Sequence, residues 1–178
     1  MDVRLTVNGK EVALSEDQIK LLGLEPEKKK TGYERMCEGG KYFVQNSSGF
    51  VSKLTDSRLK LCQEQYDAAN YYSEFQVCRD NAIADKLMRH LRRFAAENGG
   101  IPSQKEWTTT DGSIPRKAKY YIEYNAEIKL LYTSERYRDR AAGVVYFSSQ
   151  DACEKAIEVY RDELLWYFTS YEPMLKSE

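Results

Sequence analysis

Two groups of charged residues are the strongest candidates for a functional surface in this 178-residue chain. The first group is basic and falls on one predicted helix, beside the apolar stripe of that helix. Its members, here called the basic strip, are Lys86, Arg89, Arg92 and Arg93. A strip of this kind is typical of a solvated helix face, and also of a site that binds phosphate or carboxylate groups. Three later cations, Arg116, Lys117 and Lys119, would extend it.

The second group is acidic and lies on the outer side of another predicted helix. Its members, here called the acidic face, are Glu154, Glu158, Asp162 and Glu163. The pattern indicates either ordinary solvation or a surface that imitates nucleic-acid phosphate and pairs with a basic groove. The net charge of −1 conceals this division. Residues 77–119 carry nine basic against five acidic side chains, whereas residues 120–178 carry seven against eleven.

Catalytic chemistry has little support in the residue pattern. His90 is the single histidine, and no spaced His, Asp or Cys partners accompany it as a metal site would require. The four cysteines are isolated and form no CxxC pair; they are Cys37, Cys62, Cys78 and Cys153. A Cys–His dyad could be built from His90 and any of them, but no local motif supports one. We therefore expect a protein without enzymatic activity, metal or cofactor, whose thiols stay reduced.

The chain is also rich in tyrosine, with fourteen residues. Most of them fall in predicted strands, where aromatic residues pack well, although stacking on nucleic-acid bases is an alternative role. Consecutive tyrosines such as Tyr71 and Tyr72 must point to opposite faces of a strand, so one of the two is expected on the surface. Tyr72 and Trp107 are the candidate anchors for a partner, because tyrosine and tryptophan are enriched at binding hot spots. Trp107 could equally fill an apolar groove of the protein itself.

The N-terminal segment, residues 1–24, predicts a β-hairpin followed by a short helix. Apolar and polar residues alternate on both sides of Asn8-Gly9, which suits a tight hairpin turn because both positions need a positive φ. Ser15 and Gln18 then have the spacing of a helix capping box. A unit of this size is too small to be stable alone, so we expect it to dock on the rest of the chain.

The remainder of the chain contains an internal repeat, with copies at residues 41–97 and 119–178. A Gly- and Lys-rich linker at 25–40 precedes the first copy, and a second linker at 98–118 joins the two. Each copy predicts a βββα unit, in which one long helix covers the apolar face of three antiparallel strands. The third strands and the helices are expected, in chain order, at 68–72, 74–96, 141–147 and 149–171. The chain is therefore expected to have an α+β fold.

Nothing in the pattern indicates a membrane or export segment. No apolar run approaches the length of a membrane-spanning helix. The first residues lack both the basic and the hydrophobic regions of a signal peptide. We expect a cytoplasmic protein without membrane contact.

Residues 32–51 and 69–98 carry a family resemblance. The chain resembles a group of small proteins encoded by phages and mobile elements of Firmicutes, with Tyr-rich strands and a helix that ends in Leu-Arg-Arg-Phe. The matching positions are Tyr33, Glu34, Arg35, Tyr42, Gly49, Asn70, Tyr71, Tyr72, Leu91, Arg92, Arg93 and Phe94. In the second copy Gly143 is taken to replace Asn70, and the Leu-Arg-Arg-Phe ending is missing.

Some proteins of this kind are similar to type II-A anti-CRISPRs, which inhibit the RNA-guided nuclease of the host. The resemblance therefore implies an inhibitor that binds a type II CRISPR nuclease with its guide RNA and blocks target DNA binding or cleavage. The alternative from the residues is a phage-encoded accessory protein that binds DNA or RNA directly through the basic strip. Self-association into a homodimer stays open under both interpretations.

Overall fold

The computed structural model describes residues 4–7, 10–23, 30–108 and 117–175. Within these residues the chain forms three separate two-stranded antiparallel sheets and several helices, which confirms the α+β class. The strands are β1 (Arg4–Val7), β2 (Lys10–Ala13), β3 (Lys41–Gln45), β4 (Val51–Thr55), β5 (Lys119–Asn125) and β6 (Leu130–Arg136). The principal helices are α1 (Glu16–Leu21), α2 (Lys60–Asp67), α3 (Phe75–Glu97), α4 (Gln150–Val159), α5 (Arg161–Trp166) and α6 (Glu172–Leu175).

The N-terminal hairpin and short helix form as predicted. β1 pairs with β2, and α1 begins after the capping box, in which Ser15 and Gln18 bond to each other's backbone N–H groups. The predicted turn at Asn8-Gly9 lies outside the described residues. The expected docking of this unit is wrong for its described side chains, because none of them joins a buried cluster and Leu21 is 87% exposed.

The first repeat has two strands rather than three. β3 pairs with β4, but the expected third strand at 68–72 is wrong, because it is reduced to a single bridge between Phe43 and Tyr72. Two residues further along β3, the side chain of Asn70 replaces the missing strand at the outer edge. It accepts a hydrogen bond from Gln45 N at 2.9 Å and donates one to Gln45 O at 2.8 Å. A helix that the sequence pattern did not indicate, α2, fills the connection between β4 and this bridge.

The second repeat repeats this arrangement. β5 pairs with β6, and the expected third strand at 141–147 is again wrong, since only the bridge between Tyr120 and Phe147 forms. The expected continuous helix at 149–171 is also interrupted. Tyr160 leaves helical geometry (φ −112°, ψ 26°) and separates α4 from α5, which then continues through a π-helical turn at Tyr167–Tyr171 into α6. The Tyr160 ring packs edge-on against Phe94 of α3, with ring centres 5.8 Å apart.

Helix α3, expected at 74–96, is confirmed and lies between the two repeats. Towards the first repeat its Phe75 ring meets Phe43 edge-on at 5.6 Å. Towards the second repeat it contributes Leu87, Leu91 and Ala95 to the largest buried cluster of the described residues. The rest of that cluster comes from the second repeat: Leu131, Phe147, Ala152, Cys153, Ala156, Ile157 and Leu164. Helix α3 of the first repeat therefore contributes to the core of the second repeat, whereas the strands of the first repeat have a buried cluster of their own, formed by Tyr42, Val44, Cys62 and Tyr71.

Candidate binding surfaces

The basic strip is exposed on α3. Lys86, Arg89, Arg92 and Arg93 all face solvent, away from the sides of the helix that pack against the two repeats. Arg93 Nε lies 4.0 Å from Glu97 Oε1 one turn later, a surface contact worth little in free energy. No described residue forms an ion pair with the other three members. Their charges are therefore available to a binding partner.

The expected extension of the basic strip is wrong for Lys119, which is buried, whereas Lys117 is exposed and ion-paired. Lys119 is 1% exposed, and its Nζ donates to the carbonyl oxygen of Tyr137 at 2.8 Å. Burial lowers the pKa of Lys119. Lys117 forms an ion pair with Glu106, with Nζ and Oε1 2.6 Å apart. Arg116 lies outside the described residues, so the strip is defined by its four helical members.

The acidic face is exposed but divided between two helices. Glu154 and Glu158 lie on α4, whereas Asp162 and Glu163 lie in the first turn of α5. Carboxylates in a first turn interact favourably with the positive end of the helix dipole. Glu154 Oε1 accepts from the side-chain amide of Gln150 at 2.8 Å. The expected single helical face is thus replaced by two short acidic segments that meet at the Tyr160 break.

The two charged surfaces approach each other around His90. The His90 ring lies 5.9 Å from the Tyr160 ring, between the end of the basic strip and the start of α5. Burial, together with the positive charges of Arg93 and Lys86, lowers the pKa of His90, while the nearby charge of Glu163 acts in the opposite direction. His90 is therefore neutral at pH 7. Of the acidic face, Glu163 is thus the member whose charge acts together with the basic strip on His90.

The candidate anchors Trp107 and Tyr72 are not exposed, which corrects the expectation that they contact a partner. Trp107 is 5% exposed and packs edge-on against Tyr146, with ring centres 4.8 Å apart. The charged ends of Lys119 and Arg140 lie over its ring at 4.8 and 4.6 Å, a favourable cation–π arrangement. Tyr72 is 3% exposed. Both residues stabilise the fold, and Trp107 closes one face of the second repeat.

Asp56 is the centre of a buried polar network that the residue pattern did not reveal. Its carboxylate is fully buried and accepts from the Tyr71 hydroxyl at 2.8 Å, Arg35 Nε at 2.9 Å and the backbone N–H of Arg58 at 2.9 Å. Burial by itself raises the pKa of Asp56, but these donors outweigh it and lower the pKa to about 2. The network ties the segment before β3 to the strands of the first repeat.

Glu34 has a comparable structural role. Its carboxylate accepts from the Ser73 hydroxyl at 2.6 Å and from the backbone of Thr31 and Gly32. The Ser73 hydrogen bond is the main reason that the pKa of Glu34 is lowered to about 2. Glu34 and Arg35, which belong to the resemblance, therefore position the start of the first repeat. In the sequence, the only signal for this role was that Glu34 and Arg35 directly follow Tyr33 in the stretch that carries the resemblance.

A groove of about 870 Å³ opens beside β5, and sequence reasoning did not indicate it. Its polar side is formed by Glu123, whose two oxygens accept from the hydroxyls of Tyr121 at 2.8 Å and Tyr132 at 2.7 Å. Arg136 Nε donates to the Tyr121 hydroxyl at 3.2 Å. Its apolar side is formed by α3, α5 and the π-helical turn. No member of the basic strip or the acidic face lines it.

Within the described residues, no three His, Cys, Asp or Glu side chains lie together as metal ligands would. Over the same part of the chain, no helix combines the length and the apolar character needed to cross a bilayer. Comparison with known proteins finds no matching family model, no matching curated protein and no matching solved structure.

Proposed function

We propose that this protein is a non-enzymatic inhibitor that binds an RNA-guided type II CRISPR nuclease with its guide RNA. In this proposal it acts in the cytoplasm of the bacterial host and blocks target DNA binding or cleavage. The observation that carries the proposal is that both charged groups are exposed, and that the charges of Arg93 and Glu163, one from each group, act on the same His90 ring. The resemblance to anti-CRISPR proteins supplies the class of target.

The target would offer complementary charges to both surfaces. A nuclease of this type holds its heteroduplex in a positively charged channel, and it displays the phosphates of its nucleic acids beside that channel. The acidic face would engage the channel, whereas the basic strip would contact guide RNA or target DNA. Because α3, α4 and α5 are packed against one shared core, the charges are held in position before binding, which reduces the entropy that binding costs.

A cleavage assay with purified nuclease and guide RNA tests the proposal. Increasing ratios of wild-type protein should suppress target cleavage, and the protein should co-elute with the nuclease on gel filtration. Charge reversal at the acidic face by Glu158→Lys with Glu163→Lys should weaken inhibition by about tenfold or more. The matched control is Glu64→Lys on the exposed side of α2, which should leave inhibition unchanged. Absence of both inhibition and co-elution would remove the proposal.

A second candidate function, direct binding of DNA or RNA as a phage accessory protein, is favoured by the three cations of the basic strip that have no ion-pair partner among the described residues. It predicts gel retardation without any nuclease, weakening steeply as salt rises. Substitution of Arg89 and Arg92 by Ala should reduce that retardation, whereas Lys60→Ala on α2 should not. Gel filtration of the protein alone reports in the same experiment whether it forms a homodimer.

A further inference from the structure

The internal repeat shows how this fold closes the outer edge of its first strand. In the first repeat, Phe43 exchanges two backbone hydrogen bonds with Tyr72, at 2.8 and 2.9 Å. Two residues further along β3, both backbone groups of Gln45 are bonded by the side-chain amide of Asn70. One carboxamide thus donates and accepts as a neighbouring peptide group would. The edge of β3 is therefore closed without a third strand.

In the second repeat the equivalent edge is open. Tyr120 exchanges two backbone hydrogen bonds with Phe147, at 3.0 and 2.8 Å, so its backbone groups point away from β6. Because alternate residues of an antiparallel strand direct their backbone groups to the same side, those of Ile122 and Tyr124 point to this outer edge too. No described residue forms a hydrogen bond with the backbone of Ile122 or Tyr124.

A single replacement between the repeats accounts for the difference. Asn70 precedes the bridge residue Tyr72 by two positions, and Val145 precedes the bridge residue Phe147 by two positions. The structural counterpart of Asn70 is therefore Val145, which corrects the sequence-based pairing of Asn70 with Gly143. Valine has no polar side-chain atom and cannot bond the edge of β5. The donor and acceptor that Asn70 satisfies at Gln45 are left open at Ile122.

This open edge forms one wall of the groove beside β5. The opposite wall is the segment 141–145, which precedes the single backbone bridge between Phe147 and Tyr120. The floor is apolar and consists of Met88, Leu91, Leu164 and Phe168. The Phe168 ring is stacked on Tyr124 at the far end, with ring centres 5.8 Å apart. A backbone edge and an apolar floor thus face the same space.

We propose that the β5 edge is a docking site for an extended peptide segment of a partner protein, which adds to β5 as a third strand. The open groups at Ile122 and Tyr124 span about four residues of such a strand. Backbone hydrogen bonds would hold the segment, and apolar side chains at alternate positions would enter the groove. The added strand would lie between β5 and segment 141–145, which both line the groove.

The test uses a displayed library of random linear heptapeptides, selected on the wild-type protein. The Val145→Asn variant serves for counter-selection, because its carboxamide should close the edge as Asn70 does in the first repeat. We expect enriched peptides with apolar residues at alternate positions. A synthetic peptide from the selection should bind Val145→Asn about tenfold more weakly than wild type, since two backbone hydrogen bonds are lost. The matched control Val145→Ala removes the same side chain without adding an amide and should retain binding.

Two further measurements keep the proposal open to refutation if Val145→Asn folds poorly. Alternate amides of an extended peptide point to opposite sides, so two N-methylated versions of the same peptide can be compared. Methylation of the amides that face β5 should abolish binding to wild type, whereas methylation of the amides that face away from β5 should not. Amide hydrogen exchange at Ile122 and Tyr124 should slow when the peptide binds. The proposal is overturned if selected peptides bind both Val145 variants equally, or if neither methylation pattern matters. It is equally overturned if the wild-type protein forms a dimer that Val145→Asn disrupts.

Discussion

Replacing Asn70 by Ala tests the idea that one carboxamide closes the edge of β3. The change removes two hydrogen bonds, at 2.9 and 2.8 Å, and leaves a partly buried donor and acceptor of Gln45 without partners. A typical protein hydrogen bond contributes about 0.5–1.5 kcal/mol, so the free energy of unfolding should fall by about 1–3 kcal/mol. The exchange rate of the Gln45 amide should rise by about tenfold or more, because about 1.4 kcal/mol corresponds to a factor of ten.

Urea denaturation followed by circular dichroism measures the first quantity, and NMR-detected hydrogen exchange measures the second. Asn98→Ala is the matched control, since the Asn98 carboxamide donates to one exposed carbonyl at the end of α3. It should cost about 0.5 kcal/mol or less. Unchanged stability together with unchanged exchange at Gln45 in Asn70→Ala would refute the reasoning. It would also remove the reason to expect that Val145→Asn closes the β5 edge.

Three further outcomes are expected. The folded-state pKa of Asp56 is lowered to about 2, so its carboxylate stabilises the fold above its ordinary pKa of 3.8 and that contribution is lost as the pH falls through about 2. Asp56→Asn should therefore unfold at lower urea than wild type at pH 7, with a difference that shrinks towards pH 2; a difference independent of pH would contradict this. Trp107→Ala should lower the free energy of unfolding by about 3–5 kcal/mol in thermal or urea melts, and a loss under 1 kcal/mol would show that its burial matters little. Burial raises the pKa of Cys78 and of Cys153 to about 11, so both should resist a thiol reagent in the native protein while exposed Cys37 reacts; equal rates for all three would be the opposite result.

The parts of the fold that could be predicted are those encoded by local signals. The capping box at Ser15 and the apolar stripe of α3 each act within a few turns of chain, and both formed where they were expected. The third strands could not be predicted correctly, because alternation describes how side chains face and not whether a backbone partner exists. At the outer edge of β3 that partner is the side chain of Asn70. At the outer edge of β5 the only backbone partner among the described residues is Phe147, at the Tyr120 bridge.

The break at Tyr160 in the second long helix could not be predicted from the spacing of apolar residues either. Leu164 in α5 is buried in the same cluster as Ile157 in α4, so the apolar spacing continues across Tyr160 although the helix does not. For the candidate surfaces, exposure of the two charged groups followed from their distance from the apolar stripes. Burial of Trp107 and Lys119 did not follow, because it depends on the path of a linker over the second repeat. The groove could not be predicted from the pattern because its lining residues come from separate parts of the chain, from Met88 to Pro173.

The position of α3 between the repeats has a consequence for synthesis of the chain. When the ribosome has completed α3, the residues of the second repeat that bury Leu87, Leu91 and Ala95 have not yet been synthesised. The last of these residues in the chain is Leu164. Translation at about 5–20 residues per second leaves this stripe exposed for several seconds. We therefore expect the nascent first repeat to bind chaperones that hold apolar helices. A truncation after the first repeat would display the same stripe permanently and should aggregate.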